Sequence, residues 1–551
     1  MRGAACIGGG LALVALITRI SMTSQVNSDG AAIALQGWDM LHGHLLLHGW
    51  VTADASYYTF EVPQLAIAEF FFGLTALACH IVSALSYVIV AALAAVLARA
   101  DSRGPGGPDG PPEQAGNAVV AAARAAAVLA VLAAPLLSAA GVATLLEAPQ
   151  HIGTSAFMLG CFLLIDRAPG WRFTAPLVGV ILLIGQVGDA TVLYVGVPAV
   201  VLVGAYRAVA ALLGARKGRP RGSAAPSSAA PGSARRIALA DAAIAAAAAV
   251  SVPAALLARA VLRSAGAYTL VPPRTAISPT RLWGQHAAAS WYDVRTLFGA
   301  NFTVSGTPLH AAAGAFGWAC LLAVIFGFAR LVWTWRAARR AEQLVGAAIV
   351  ANLAVYVIST MPATAITSAR EIAAVLPCGA VLAARACVPG RLAAPAARAR
   401  IALLGAALAA LLPLGVAAVQ PVPVPATISL TAWLRARGLD YGLAGYWYAA
   451  AITLESGGRV QIRAVEAVHR RFAPYYWETR TDWYAASRYD ASFVIASAPG
   501  VDPGSAFSVA HVERYFGRPT MTYRLGVHEI LVYRTNLLDR LAAPYEPLPT
   551  P

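Results

Sequence analysis

Ionisable side chains recur at the ends of long apolar runs in this sequence. Asp29 follows the first run, Glu147 and His151 lie between the third and fourth, Asp189 lies between the fifth and sixth, and Arg370 opens the tenth. Such groups are costly at membrane depth, which makes them functional candidates. A carboxylate there could accept a proton or bind a cation, and an arginine could bind a phosphate. Asp29 and Asp189 are also well placed to cap helices, so both interpretations stay open for them.

The apolar runs that separate these residues recur over the first 420 positions, and each can cross a hydrocarbon core of ~30 Å. Only 12% of the residues are charged, too few to cover a soluble protein of this length. The fold class is therefore mainly α, a polytopic membrane bundle whose first helix is retained rather than cleaved as a signal peptide. We predict eleven spans, at residues 4–22, 70–98, 118–145, 151–166, 173–188, 190–209, 237–263, 310–334, 343–362, 370–388 and 400–419.

The distribution of positive charge gives the orientation. One set of loops carries seventeen Lys or Arg residues, and the other set carries only Arg274, Arg281, Arg295 and Arg370. The basic loops are expected in the cytoplasm. With eleven crossings the N-terminus is then cytoplasmic, and the segment after residue 420 lies outside. The net charge of +15 is thus a signature of orientation, and it does not indicate a nucleic-acid partner.

Residues 421–551 regain polar character and are predicted to form a small extracytoplasmic α/β domain. Helices are expected at 429–437 and 507–516, and strands at 460–465, 491–496 and 528–533. All six cysteines precede this segment, so the domain must fold without disulfides. The stretch GLDYGLAGYW lacks dinucleotide-binding spacing, and we expect the domain to shape access of an acceptor.

Two long outer loops, 23–69 and 264–309, are further candidates for function. The first contains Asp54 and no Lys or Arg, and its apolar residues between Ile33 and Leu45 recur near helical spacing. That pattern predicts an amphipathic helix lying on the membrane surface. The second loop contributes Arg274 and Arg281 as weaker candidates. Two cytoplasmic segments, 101–116 and 216–235, are low-complexity and predicted to be linkers.

Histidines and aromatic residues of the outer segments have two interpretations each. His42, His44 and His48 lack metal-ligand spacing, which favours interfacial histidines over a metal site. The aromatic residues could stack on sugars or could anchor the membrane interface. They form two clusters, Trp283, Trp291 and Tyr292 in the second loop, and Tyr441, Tyr446, Trp447 and Tyr448 in the C-terminal segment.

The chain resembles the GT-C superfamily of membrane glycosyltransferases. The resemblance rests on NSDG at 27–30 after the first span, EAPQH at 147–151 after the third, SARE at 368–371, the odd number of spans and the exported C-terminal domain. The stretches SDGAAIALQGWDMLHGHLLLHGW and GLAGYWYAAAITLESGGRVQI also look like a group of uncharacterised actinobacterial membrane proteins. One departure is that superfamily members often have an adjacent Asp-Glu pair in the first loop, whereas Gly30 follows Asp29 here.

The resemblance implies an enzyme of the cell envelope that moves a hexosyl or pentosyl group from a polyprenyl-phosphate donor to a glycan or protein acceptor, with inversion. It implies that Asp29 is the general base and that Arg370 binds the donor phosphate. Glu147, His151, Asp189, Asp54, Arg274 and Arg281 are the remaining candidates for substrate binding. Some relatives need a divalent metal (Mg²⁺ or Mn²⁺) and others do not. Asp29 and Glu147 could supply oxygen ligands to one, and the sequence leaves this open.

Two other classes of function fit a chain of this kind. A transporter or flippase for a lipid-linked or envelope precursor usually carries ionisable residues in the middle of its spans, whereas the charges here cluster at the ends. A non-catalytic receptor with an exported binding domain would not need eleven spans. A single outward-facing site that gathers Asp29, Glu147, Asp189 and Arg370 would favour the enzyme.

Overall fold

The protein is described here from a computed structural model. The structure describes residues 2–99, 114–167, 170–217, 231–272, 275–301, 307–362, 366–388, 396–425, 427–468, 471–497 and 507–544. The central parts of both predicted linkers, 101–113 and 218–230, lie outside these residues, as does Arg274.

Fifteen helices occupy the described residues up to position 420. They are α1 (Arg2–Ser21), α2 (Ser28–Leu41), α3 (Glu61–Phe72), α4 (Ala76–Arg99), α5 (Gln114–Ala133), α6 (Ala139–Leu146), α7 (Thr154–Arg167), α8 (Trp171–Gly188), α9 (Thr191–Lys217), α10 (Pro231–Ser264), α11 (Trp283–Leu297), α12 (Pro308–Thr334), α13 (Arg340–Ile358), α14 (Val375–Cys387) and α15 (Ala396–Ala418).

Seven helical stretches within the described ranges are long and apolar enough to cross a membrane, judged by length and composition. They are Ala76–Arg99, Ala118–Leu137, Trp171–Gly188, Thr191–Leu213, Ala234–Ser264, Pro308–Thr334 and Arg340–Ile358. Shorter apolar helices add to them at Gly8–Ser21, Val375–Cys387 and Ala407–Ala418. The chain is a multi-pass membrane protein, as predicted, and the number of eleven crossings stays a prediction.

Each of the eleven predicted spans contains a helix, but two of them are interrupted. The third span breaks after α5 into a 3₁₀ turn, Pro135–Leu137, and then the short helix α6. Pro135 has no N–H with which to continue α5, and Ser138 starts α6 by accepting a hydrogen bond from the Gly141 N–H at 3.0 Å. The tenth span begins as a 3₁₀ segment, Ile366–Ile372, and continues as α14.

Helix α14 is the centre of the bundle. Its residues from Val375 to Arg385 are all buried, and it packs against α4, α5, α12 and α13. Arg385, near the C-terminal end of this helix, donates a 2.7 Å hydrogen bond to the Leu97 carbonyl at the end of α4. Buried positive charge at this end therefore pairs with the carbonyl groups that a helix terminus leaves open. The opposite end of α14 follows directly from the segment that carries Arg370.

The first outer loop is more folded than the sequence predicts. The helix expected there is α2, but it does not lie open on the membrane surface, because it is packed between α3 and a helix of the C-terminal domain and is mostly buried. A Cβ atom at Gly37 would approach the Leu65 Cβ to 2.7 Å, so this glycine permits the close packing of α2 on α3. The exposed apolar residues belong to α3 instead, where Phe70 and Phe71 are 69% and 70% exposed. Gly73, with φ of 70°, ends that helix, so the second span starts at α4 and not at residue 70.

The C-terminal residues form the α/β domain that the sequence predicts. Its helices are α16 (Ile428–Ala436), α17 (Tyr446–Glu455) and α18 (Val509–Phe516). A six-stranded sheet has the order β5-β4-β3-β7-β9-β8, in which β3 pairs in parallel with β4 and β7 and the other pairs are antiparallel. These strands are β3 (Tyr441–Ala444), β4 (Gln461–Val468), β5 (Arg471–Pro474), β7 (Phe493–Ser497), β8 (Met521–Leu525) and β9 (His528–Val532).

A second, three-stranded sheet joins three distant parts of the chain. Strand β1 (Trp50–Thr52) of the first outer loop pairs in parallel with β2 (Thr269–Leu270) of the second loop and antiparallel with β6 (Thr479–Arg480) of the C-terminal domain. The carboxylate of Asp39 reinforces this sheet, accepting hydrogen bonds of 2.7 Å from Trp50 Nε1 and from Arg480 Nη1. The C-terminal domain is therefore hydrogen-bonded to the outer loops through backbone and side chains alike.

The Asp39 contact predicts how firmly the C-terminal domain is attached. Asp39→Asn loses the charge that pairs with Arg480, and for a partly exposed pair we expect a loss of about 1 kcal/mol. Limited proteolysis of the folded protein should then cleave the C-terminal domain roughly fivefold faster. Asp440→Asn, at an exposed position of the same domain, is the control. Equal cleavage rates for the two variants would contradict the contribution of Asp39.

Candidate active site

Most of the residues singled out from the sequence converge at one end of the bundle, at the N-terminal end of α14. Asp29 lies in the first turn of α2, and its Oδ2 is 3.4 Å from Nη1 of Arg370, which is 341 residues away in the chain. Arg370 also donates to the side-chain oxygen of Gln150. The side chains of Asp29 and Arg370 are only 16% and 12% exposed, so the ion pair is largely shielded from water.

Asp29 lies in the first turn of α2 but does not cap this helix. The N-cap of α2 is Asn27, whose side chain accepts a 2.9 Å hydrogen bond from the Gly30 N–H. The carboxylate of Asp29 is therefore available for contacts outside its own helix. One such contact comes from the C-terminal domain, because the hydroxyl of Tyr446, the first residue of α17, donates to Asp29 Oδ1.

Glu478 completes this group of side chains. Its Oε2 lies 3.1 Å from the Tyr446 hydroxyl oxygen, and its side chain is buried. Burial, with the negative charge of Asp29 as a second cause, raises the pKa of Glu478 well above its usual value. We call Asp29, Arg370, Gln150, Tyr446 and Glu478 the Asp29 cluster. Tyr446 belongs to the aromatic group noted in the sequence, whereas Glu478 carries no sequence signal that connects it with Asp29.

Glu147 lies beside the Asp29 cluster at the end of α6. Burial raises its pKa, Arg370 lowers it and Asp29 raises it, with a net result of about 7. It is also hydrogen-bonded to Asn27, the residue that caps α2. The pKa of Glu147 is thus raised into the range where a carboxyl group can exchange a proton near neutral pH.

His151 is the centre of a second group of side chains. Its Nδ1 is 3.1 Å from Asp189 Oδ2, and its Nε2 lies 2.9 Å from the Tyr57 hydroxyl and 3.6 Å from Glu371 Oε1. Thr154 donates a 2.6 Å hydrogen bond to the same oxygen of Asp189. We call His151, Asp189, Tyr57, Glu371 and Thr154 the His151 cluster.

The charges of the His151 cluster follow from these contacts. Burial alone would lower the pKa of His151, but Glu371 and Asp189 outweigh it and raise this pKa to about 9. Burial would raise the pKa of Asp189, yet His151, Thr154 and the Thr191 N–H bring it down to about 2. A protonated imidazole and an ionised carboxylate therefore face each other at neutral pH. Asp189 also accepts a 2.8 Å hydrogen bond from the N–H of Thr191, the first residue of α9, so it contacts both a helix N-terminus and the imidazole of His151.

The two clusters lie next to each other, because residues that are adjacent in the sequence belong to different clusters. Gln150 joins the Asp29 cluster and His151 the His151 cluster, and the same holds for Arg370 and Glu371. A narrow cleft next to them is lined by charged residues, His151, Arg370 and Glu371, and by apolar residues of α7 and α9, Met158, Val192 and Val195. Such a cleft offers charged partners to a polar group and an apolar wall to a hydrocarbon chain.

Three residues of the site have strained backbones. His151 has φ of 53° and Glu478 has φ of 48°, in the left-handed region that costs a residue with a side chain roughly 1–2 kcal/mol. Among the described residues, only Leu47 and Tyr57 share this feature with them outside glycine. Tyr57 is itself a member of the His151 cluster. Strain of this kind is kept where the surrounding structure holds a side chain in a required position.

The other sequence candidates have different surroundings. Asp54 lies near enough to raise the pKa values of Tyr57, Glu371 and Glu478 through its charge, so it faces both clusters. Arg281 is exposed in the 3₁₀ turn Thr280–Leu282, and within the described ranges it has no ion pair or hydrogen bond with either cluster. Arg274 lies outside the described residues. His42 and His48 bond to backbone carbonyl groups, which agrees with their interpretation as interfacial residues.

The described residues do not present a ready-made set of metal ligands at the site. Across the part of the chain that the structure describes, no three His, Cys, Asp or Glu side chains are grouped as metal ligands. Asp29 and Glu147, the oxygen donors named for Mg²⁺ or Mn²⁺, both lie in the field of the Arg370 guanidinium, which would repel a cation.

Comparison with known proteins establishes the fold. No protein-family model matches this sequence, and no curated protein does. Among solved structures, the chain is similar to ArnT from Cupriavidus metallidurans, which was crystallised with undecaprenyl phosphate. The superposition covers 96% of this chain and 98% of ArnT, with a TM-score of 0.52 and 14% sequence identity. This similarity extends over both the helical bundle and the C-terminal domain, and the chain has the GT-C fold that the sequence motifs suggested.

Proposed function

We propose that this protein is a membrane glycosyltransferase that moves a sugar from a polyprenyl-phosphate donor to an acceptor hydroxyl on the extracytoplasmic face. The observation that carries the proposal is the 3.4 Å pair of Asp29 and Arg370, a carboxylate and a guanidinium at the N-terminal end of the central helix. ArnT, whose fold the chain shares, was crystallised with a polyprenyl phosphate, and this supports the same class of donor here.

The two side chains of the pair match the two ends of the reaction. A carboxylate within reach of the acceptor hydroxyl takes its proton as the hydroxyl oxygen attacks the anomeric carbon. The bond from that carbon to the phosphate oxygen breaks, and its electron pair leaves with the polyprenyl phosphate. A guanidinium binds this phosphate through two hydrogen bonds and stabilises its negative charge. Attack opposite the leaving group inverts the configuration of the anomeric carbon.

Substrate binding must separate Asp29 from Arg370. The cleft beside Arg370 is lined by both charged and apolar side chains, which suits a phosphate that is attached to a prenyl chain. Arg370 would turn from Asp29 to the phosphate, and Asp29 would then be free to face the acceptor. His151, protonated at neutral pH, would add positive charge near the phosphate.

The rival function is a transporter or flippase of a lipid-linked precursor. Some of the buried ionisable groups in the described helices away from the site have partners at the other end of the bundle. Asp241, for example, lies 2.6 Å from Arg340, and Arg385 bonds to a helix-terminal carbonyl. These pairs satisfy each other and helix ends, so they give no support to a path of charged groups through the membrane.

The function is tested with the purified full-length chain in vesicles, radiolabelled polyprenyl-phosphate hexoses and pentoses, and a panel of glycan and peptide acceptors. We expect sugar transfer with release of one polyprenyl phosphate for each sugar transferred, and a product of inverted configuration. Asp29→Asn in the same vesicles is the blank. Movement of labelled lipid between leaflets without transfer of sugar would contradict the proposal and favour the transporter.

The orientation of the site makes a separate prediction. Because basic residues are concentrated in the loops at the other end of the bundle, we expect the C-terminal domain outside the cytoplasm. A reporter enzyme that is active only outside should be active when it is fused after Pro551 and inactive when it is fused after Lys217. The reverse pattern would place the site on the cytoplasmic face and would exclude an externally presented donor.

A further inference from the structure

The structure connects the C-terminal domain to the reacting end of Asp29 by a short chain of hydrogen bonds. Tyr446 begins α17 and Glu478 immediately precedes β6, so both come from elements that dock on the first outer loop. The Tyr446 backbone carbonyl also accepts a 2.7 Å hydrogen bond from Ser28 Oγ, the neighbour of Asp29. The start of α17 is therefore fixed to the start of α2 at two points.

The number of protons that these three side chains share determines which of them donates each hydrogen bond. The Tyr446 hydroxyl has one proton and lies against two carboxyl groups, Asp29 Oδ1 and Glu478 Oε2. It can donate to only one of them, and the other must donate to its oxygen. Burial together with the nearby Asp29 favours the protonated form of Glu478. With a protonated Glu478 as the donor to Tyr446, the Tyr446 hydroxyl donates to Asp29 Oδ1, and Asp29 keeps Oδ2 for the side of the site where Arg370 lies.

A purely structural role does not account for this arrangement. Glu478 is buried and adopts a φ of 48°, a conformation that is costly for any residue other than glycine. A buried carboxyl group is also costly unless its hydrogen bonds are made. The strained backbone places the buried carboxyl group of Glu478 against the hydroxyl of Tyr446, and this hydroxyl contacts Asp29.

We propose that Tyr446 and Glu478 of the C-terminal domain are positioning residues that hold the carboxylate of Asp29 in the orientation needed to accept the acceptor's proton. The inference rests on the proposed function, because it concerns the same general base. It assigns the C-terminal domain a part in the chemistry itself, in addition to access of the acceptor. The active site is complete only when the domain is docked.

Kinetic tests separate positioning from folding. Tyr446→Phe removes the hydroxyl and keeps the ring, so we expect kcat to fall by about 10- to 100-fold while the KM for the donor stays nearly constant. Tyr523→Phe, which removes a hydroxyl from the edge strand β8 of the same domain, is the matched control. Glu478→Gln keeps a neutral hydrogen-bond donor at the position and should retain more activity than Glu478→Ala. Equal activity of Tyr446→Phe and the wild type would overturn the proposal.

The pH profile provides a readout that a structural role would not change. Deprotonation of Glu478 would remove its hydrogen bond to Tyr446 and place a second negative charge near Asp29, Asp54 and Arg370. The wild type should therefore lose kcat/KM at alkaline pH, and this loss should be smaller in Glu478→Gln. Identical alkaline limbs in the two proteins would count against the proposal.

A spectroscopic measurement tests the hydrogen-bond chain without any turnover. The infrared carbonyl stretch of a protonated carboxylic acid is well separated from carboxylate bands. At neutral pH we expect the difference spectrum between wild type and Glu478→Gln to show this band, with a frequency that shifts in Tyr446→Phe. If the band is missing, Glu478 is not protonated, the series of hydrogen bonds does not form and the inference fails. If the band is present and no donor supports transfer, the proposed glycosyltransferase fails while the hydrogen-bond chain stands.

Discussion

Asp29→Asn is expected to leave a folded, membrane-inserted protein whose turnover is lower by about 10²- to 10⁴-fold, the usual effect of losing a positioned base. The amide keeps the shape of the carboxylate, and it can still accept the hydrogen bond from Tyr446. The cap of α2 is not affected because Asn27 provides it. The measurement is kcat with a saturating donor, after the melting temperature has been compared with that of the wild type.

The control for this variant is Asp440→Asn, which removes a carboxylate from an exposed position of the C-terminal domain. Its turnover should equal that of the wild type. Near-normal turnover of Asp29→Asn would show that the base is another residue. Glu147 would then be examined first, since its pKa of about 7 suits proton transfer, followed by Asp54 and Asp189.

Replacement of Arg370 is expected to weaken donor binding in two steps. Arg370→Lys keeps the positive charge and loses the planar pair of donors, and we expect the Kd for a polyprenyl phosphate to rise about tenfold. Arg370→Ala loses the charge as well and should raise the Kd by about 100-fold, as expected when charge-assisted hydrogen bonds worth ~1.5–3 kcal/mol each are lost. The measurement is equilibrium binding of the lipid phosphate to the purified protein in detergent.

Arg281→Lys is the matched control, because Arg281 is exposed and is bonded to neither cluster in the described part of the chain. Unchanged affinity in both Arg370 variants would rule out the phosphate-binding role. A loss of affinity in Arg281→Lys with none in Arg370→Lys would move that role to the second outer loop.

The membrane bundle could be predicted from the sequence because each span is a local property. Twenty apolar residues specify a helix that crosses the lipid whatever its neighbours are. The predicted span boundaries are wrong where a single residue ends a helix inside an apolar run. Pro135 ends α5 and Gly73 ends α3, and in both places the apolar run continues past the break.

The position of α2 could not be predicted in the same way. Its apolar stripe has the spacing of a helix on a membrane surface, but in the protein α17 covers one side of it. The surface that covers it lies more than 400 residues further along the chain, and the periodicity of α2 contains no information about it. An apolar face indicates that something must cover it and does not indicate whether lipid or protein does so.

The candidate site was predictable for residues at the ends of spans and not for those of the C-terminal domain. Asp29, Glu147, Asp189 and Arg370 are rare charges beside apolar runs, so each is conspicuous in the sequence. Glu478 is one of several acidic residues in a polar domain, and nothing near it in the sequence marks it. Its left-handed backbone and its contact with Tyr446 exist only in the folded chain.

The three-stranded sheet of β1, β2 and β6 has a consequence for biosynthesis. Strand β1 ends at Thr52, and its antiparallel partner β6 begins at Thr479. At a synthesis rate of ~5–20 residues per second, roughly 20 to 90 seconds pass between the synthesis of β1 and the synthesis of β6. An open strand edge is exposed during this time and can pair with other chains. A ribosome that stops before Tyr446 thus leaves a polypeptide with most of its membrane helices, an unpaired β1 edge and an Asp29 without the hydroxyl of Tyr446.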